Sequence, residues 1–102
     1  MPLFAVLIRH KTLPGKRDEV LKVWKEHMAP AIAANPGHVS YSYCFDDGDP
    51  DSIYAFQQYV SAEASREFLK TASYAAYLKD VEPLLSGPPQ VTALTPMWTK
   101  DA

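Results

Sequence analysis

Three histidines, six tyrosines, two tryptophans and one cysteine hold most of the reactive chemistry this 102-residue chain can offer. An imidazole titrates near neutral pH and is the commonest general base. His27 falls between Val20, Trp24 and Ala31 on the apolar stripe of a helical stretch. It reads either as a base facing a pocket between helices and sheet, or as a boundary histidine bonded to backbone. His10 ends one apolar run and His38 opens the next, so both are expected at strand ends, with the surface as the default. Tyr43, Tyr59, Tyr74 and Tyr77 could together wall a cavity for a small, flat aromatic or apolar ligand, their hydroxyls orienting it. Cores and dimer interfaces favour the same residue type, which is the competing reading. Trp24 and Trp98 carry the same ambiguity.

Other features remove function classes. Cys44 is the only cysteine, so it can form no internal disulfide and no Cys-based metal site. No histidine or helix N-terminus is evidently beside it to activate the thiol. Asp47, Asp49 and Asp51 alternate like the start of a calcium loop. Yet glycine comes at Gly48, Pro50 intrudes, and Gln58 stands where a bidentate Glu belongs. Gly15-Lys16 lacks the Gly-rich run of a phosphate loop, and there is no G-x-G-x-x-G. No metal and no cofactor are therefore expected. The net charge is −2, and lysines and arginines are scattered. That leaves no basic footprint for nucleic acid. No apolar run approaches the ~20 residues that span a bilayer, and Met1–Ile8 lacks the features of a signal peptide. The expectation is one soluble domain of the reducing cytoplasm, with neither nucleic acid nor membrane as partner.

The elements that must position these residues follow from periodicity. Leu3 to Thr12 reads as a strand apolar on both faces, and Pro14-Gly15 breaks it. A helix from about Lys16 to Ala33 carries Val20, Leu21, Trp24, Met28, Ala31 and Ile32 on one stripe. A kink or narrowed turn is expected at Pro30, and Asn35-Pro36-Gly37 ends the helix. Val39 to Phe45 and Ile53 to Val60 form a hairpin around the acidic turn Asp46–Asp51. Val39, Tyr41, Tyr43 and Phe45 are placed on one face of its first strand. Ser61 caps a helix over Ala62–Thr71, and Ser73 is expected to cap another, from Tyr74 to about Glu82. Val91 to Trp98 is the last strand, with Pro96 marking an edge. The order β-α-β-β-α(α)-β gives an α+β, ferredoxin-like antiparallel sheet with its helices on one face. The other face, also apolar, exceeds what a monomer usually exposes. A homodimer packed sheet to sheet is the expected partner arrangement.

Several local stretches carry a resemblance. They are Pro14-Gly15-Lys16, Asn35-Pro36-Gly37-His38-Val39-Ser40-Tyr41, Asp49-Pro50-Asp51, Tyr59-Val60-Ser61-Ala62-Glu63-Ala64 and Leu84-Leu85-Ser86-Gly87-Pro88-Pro89. In this order and spacing the chain resembles the antibiotic biosynthesis monooxygenase family, within the dimeric α+β barrel superfamily. The resemblance implies cofactor-independent oxidation of a small phenol or hydroquinone to a quinone. It also implies an alternative, a non-oxidative isomerase or ligand-binding protein on the same fold. Under the first reading His27 is the base and Arg66 the partner of an anion, with Trp24, Tyr43, Tyr59, Phe68, Tyr74 and Tyr77 binding substrate. The chain departs from the family pattern at three places. Gln57-Gln58-Tyr59 stands for Glu-x-Trp, Phe68 replaces a helix-two histidine, and Tyr77-Leu78 occupies the region where haem-degrading relatives carry a later histidine. These changes argue against haem.

Overall fold

The computed structural model describes residues 3–100. Met1 and Pro2, the start of the stretch read against a signal peptide, lie outside the described residues. Strand β1 (Phe4–Lys11) leads to helix α1 (Arg17–Ala33) and the hairpin β2 (His38–Phe45) and β3 (Ser52–Tyr59). Helices α2 (Ala62–Phe68) and α3 (Ala72–Val81), a 3-10 turn at Glu82–Leu84, and strand β4 (Gln90–Leu94) complete the chain. The four strands form one antiparallel sheet in the order β2-β3-β1-β4. This is the ferredoxin-like arrangement that alternating periodicity implied.

Local chemistry sets the boundaries. Gly15 takes a φ of 77°, open to glycine at little cost, and turns the chain from β1 into α1. Its N–H donates to the Asp51 carboxylate of the hairpin loop. Helix α1 runs through Pro30 to Ala33. Ser61 accepts from the Ala64 N–H at 3.1 Å as the α2 cap. Thr71, not Ser73, caps α3 by accepting from Tyr74 N–H. The α3 helix starts at Ala72, so Ser73 lies inside its first turn. Strand β4 stops at Leu94, short of the expected Trp98.

The helices pack on one sheet face. There Val20 and Met28 of α1, Ile53 and Tyr59 of β3, Phe68 of α2, and Tyr77 and Val81 of α3 form the buried cluster. The hairpin loop is clamped from α1. Arg17 Nη1 donates to the carbonyls of Asp46, Asp49 and Ser52 at 2.9, 3.0 and 3.3 Å, while its guanidinium lies 4.0 Å over the Phe45 ring. Asp49 is paired with Lys11 and accepts from Ser52 and Asp51, which holds its carboxyl well below the usual range.

One irregularity reorients His38. Between His38 and Ser40 the β2–β3 register slips by one residue. Such a bulge inserts an unpaired residue and re-aims its neighbours. Val39, expected on the Tyr41 and Tyr43 face, is pushed out and exposed. His38 takes its place opposite Tyr59.

Candidate active site

A cavity of about 260 Å³ lies between the sheet and the three helices. Strand parity builds its floor. Phe4, Val6, Ile8 and His10 of β1 share a face with Tyr41 and Tyr43 of β2 and with Ala55, Gln57 and Tyr59 of β3. The roof is Trp24 and Met28 of α1, Ser65 and Phe68 of α2, and Tyr74 and Tyr77 of α3. Leu69, Leu78 and Val91 also line it, yet are 51%, 41% and 61% exposed. The mouth therefore opens between the α2–α3 helices and strand β4. No Lys, Arg, Asp or Glu lines the cavity among the described residues.

Six of the expected ligand-binding side chains come together here: Trp24, Tyr43, Tyr59, Phe68, Tyr74 and Tyr77. Trp24 lies 4.4 Å from Tyr43 and 5.4 Å from Tyr41, ring centroid to ring centroid. The two residues read as catalytic are placed elsewhere. His27 Nε2 sits 2.8 Å from Asp80 Oδ2, joining α1 to α3 outside the cavity lining. The α1 stripe is narrow, and residue 27 falls to its side, next to Met28, which does reach the cavity. Arg66 is exposed on α2, one position past Ser65, which faces inward. The expectation that either side chain faces the pocket is thus corrected by helix phase.

His10 reverses the expectation of surface placement. It is only 9% exposed, lines the cavity, and its Nδ1 is buried without a hydrogen-bond partner. Burial pushes its pKa below the usual 6.5, because desolvation disfavours the charged imidazolium. It is neutral at pH 7 and keeps a free lone pair. The buried Tyr43 hydroxyl is likewise unpartnered. The tyrosines stay protonated. Burial pushes Tyr41 up to about 12, and burial raises Tyr43, Tyr59, Tyr74 and Tyr77 as well. Among the lining groups, only His10 offers a basic nitrogen. Position parity could have found it, because residue 10 continues the Phe4, Val6, Ile8 series.

At the other end of the floor, Gln57 is 4% exposed and accepts hydrogen bonds from Tyr59 Oη and from His38 Nε2. His38 packs 4.4 Å from Tyr59 and 4.6 Å from Phe68, and burial lowers its pKa too, partly offset by its bond to Gln57. Gln57 lies four positions along β3 from Ile53, the partner of His10. At about 3.4 Å per residue the two polar poles are roughly 14 Å apart along the strand. Between them the floor is apolar apart from Tyr43.

Comparison with known proteins agrees with this architecture. A model of the family "antibiotic biosynthesis monooxygenase" matches residues 3–80. Comparison with curated proteins finds no match. Among solved structures, a Mycobacterium tuberculosis protein is 26% identical, with a TM-score of 0.82 over 98% of this chain and 99% of that one. A proposed antibiotic biosynthesis monooxygenase from Caulobacter crescentus is 22% identical, with a TM-score of 0.88 over 95% and 92%. Another, from Chloroflexus aurantiacus, is 21% identical, with a TM-score of 0.83 over 96% of each chain. With the family model covering most of its length and the same fold throughout, this chain belongs to the antibiotic biosynthesis monooxygenase family.

Proposed function

We propose that the protein is a cofactor-independent monooxygenase that converts a small aromatic phenol or hydroquinone to a quinone. The observation that carries this reading is the unpartnered, buried and neutral His10 on the wall of an aromatic cavity. Nitrogen and hydroxyl groups left without partners in a fold that pairs nearly all others mark a place for a ligand. For a phenol with a free ring C–H the step balances. His10 takes the phenolic proton, and the phenolate passes one electron to dissolved O₂. The two radicals join at the ring carbon as a hydroperoxide, and loss of water leaves the quinone. One oxygen atom enters the ring and the other leaves as water. The protein deprotonates, orients and keeps water out.

The isomerase alternative, for a phosphorylated substrate, finds no support in a cavity lined by neutral groups, because phosphate recognition calls for Arg, Lys or ordered backbone N–H groups. A homodimer fits the opposite sheet face, where Leu7, Tyr54 and Phe56 are half-buried and Leu94 is exposed. Beyond β4, Met97 and Trp98 are 90% and 83% exposed, an apolar pair that a second copy would cover. Among the described residues no helix is long and apolar enough to cross a membrane.

The test is oxygen uptake with hydroquinones and hydroxylated anthracene-type phenols, against heat-killed protein. The expectation is saturable uptake that falls by about 10²–10⁴-fold in His10→Gln, the usual contribution of a general base. His27→Ala, off the cavity wall, keeps the rate. Equal rates in His10→Gln and wild type refute the assignment.

A further inference from the structure

The polar pole opposite His10 has a fixed direction, and the direction is set from the backbone. Gly37 N–H donates to Asn35 Oδ1 at 3.2 Å. That identifies the other end of the Asn35 amide as the nitrogen, which donates to His38 Nδ1 at 2.8 Å. A nitrogen that accepts carries no proton, so the neutral His38 ring holds its proton on Nε2. Nε2–H then donates to the group 3.4 Å away, which must be the Gln57 oxygen. Tyr59 Oη donates to the same oxygen. Both approaches to that oxygen are taken, while the Gln57 nitrogen has no hydrogen-bond partner among the described residues. Gln57 lines the cavity, so its nitrogen is the end of the amide left for a ligand.

Two features of the backbone make this chain of bonds fit. The β2 bulge puts His38 on the inner face. Gly37 allows α2 to close in, since a Cβ there would stand 3.2 Å from Ala64 Cβ and 3.4 Å from Asn35 Oδ1.

We propose that Gln57 is the fixed hydrogen-bond donor of the cavity, held in that sense by the positioning residues Asn35 and His38, and that the site selects aromatic ligands bearing an acceptor oxygen opposite the group that meets His10. The proposal rests on the aromatic-ligand reading above and deepens it. A carbonyl or phenolate oxygen satisfies the Gln57 N–H. An apolar group of the same shape leaves it buried and unpaired.

The experiment compares two probes of matched shape, 2-acetylnaphthalene and 2-isopropylnaphthalene, by quenching of intrinsic tryptophan fluorescence. Wild-type protein is expected to bind the acetyl probe about three- to tenfold more tightly, the worth of one such hydrogen bond. In Gln57→Met the ratio falls to one. Asn35→Asp is isosteric, keeps the Gly37 bond and never touches the ligand. At pH 9, with His38 neutral, the aspartate accepts from Nδ1–H, which reverses the His38 tautomer and turns the Gln57 oxygen toward the cavity. The ratio is then expected to vanish or invert.

The tautomer is read directly from long-range ¹H–¹⁵N correlations of the imidazoles, with His10→Gln and His27→Gln spectra giving the assignment. Wild type should show Nε2–H and Asn35→Asp should show Nδ1–H. A wild-type His38 carrying its proton on Nδ1 overturns the lock, whatever binds. So does a selectivity ratio that survives in Gln57→Met. Failure of both probes to bind wild type counts against the aromatic-ligand reading itself, and the NMR result then decides the lock alone.

Discussion

Tyr43→Phe separates a residue kept for packing from one kept for a ligand. The Tyr43 ring stacks on Trp24 at 4.4 Å, and phenylalanine preserves that contact. What the substitution removes is a buried hydroxyl without a partner. A buried polar group left unpaired costs about 1–3 kcal/mol. Small shifts of the ring that bring the hydroxyl to water in the neighbouring cavity recover part of that cost and move the expected gain to the low end. Tyr43→Phe should therefore stabilise the protein by about 1 kcal/mol. For a domain of this size that raises Tm by about 4–8 °C. The assay is thermal unfolding by circular dichroism at equal protein concentrations, because self-association shifts Tm by mass action. The counterpart is functional. The same variant should gain less thermal stabilisation from a bound phenol such as 2-naphthol than wild type does. Stability gained while ligand response is lost is the mark of a strained functional site. A fall in Tm would refute the reasoning, for it would show that the hydroxyl is satisfied and structural.

Three other outcomes are expected. Arg17→Ala removes the donor to three hairpin carbonyls and the cation over Phe45. It should cost about 2–3 kcal/mol in urea unfolding, and Arg17→Lys, which can still aim one nitrogen at those carbonyls, should recover part of it. Stability should fall as pH drops below 6.5. Buried His10 has a lowered pKa, so the unfolded chain takes up its proton first. Its contribution is intact above 6.5 and is lost as pH falls through the folded value, at up to about 1.4 kcal/mol per pH unit. His10→Gln should flatten that limb, and an unchanged slope would remove His10 as its source. Light scattering should show a dimer for wild type and a monomer for Phe56→Glu, which places a charge on the outer sheet face. A wild-type monomer at micromolar concentration would discard the interface.

The order of elements and the inward set of aromatic residues were legible because each rests on periodicity alone. Alternation along β3 put Ile53, Ala55, Gln57 and Tyr59 on one face, and the structure keeps them there. The position of the candidate base was not legible at the same level. On a helix, one position of phase separates Met28, which lines the cavity, from His27, which meets Asp80 outside it. On β1 the parity signal for His10 was present, but the default of polar residues at strand ends outweighed it. His38 was beyond local pattern altogether. Its inward placement depends on a one-residue bulge, and no alternation in Gly37–Tyr41 announces it. A register slip flips side chains between faces, so a single unpaired residue is enough to reverse the reading.

Under the proposed reaction, the neutrality of the cavity constrains which phenols qualify as substrates. An ordinary phenol has a pKa near 10 and an imidazole one of about 6.5, and burial lowers that of His10 further. Proton transfer is then uphill by at least about 5 kcal/mol, at 1.36 kcal/mol per unit. No lysine, arginine or carboxylate lines the cavity among the described residues to offset this. The remaining way to lower the cost is in the substrate, through an acceptor oxygen conjugated to the phenol that spreads the developing negative charge. With the poles roughly 14 Å apart along β3 at strand spacing, and both His10 and Gln57 lining the cavity, two or three fused rings can link them. Acidity cannot rise without limit, because a phenolate stabilised by its carbonyl gives up an electron to O₂ less readily. Deprotonation and electron transfer therefore pull in opposite directions. Across a series of ring-substituted phenols, the rate should pass through a maximum at intermediate acidity. A rate that rises steadily with phenol acidity would make deprotonation the whole barrier, and one that falls steadily would leave His10 without a task.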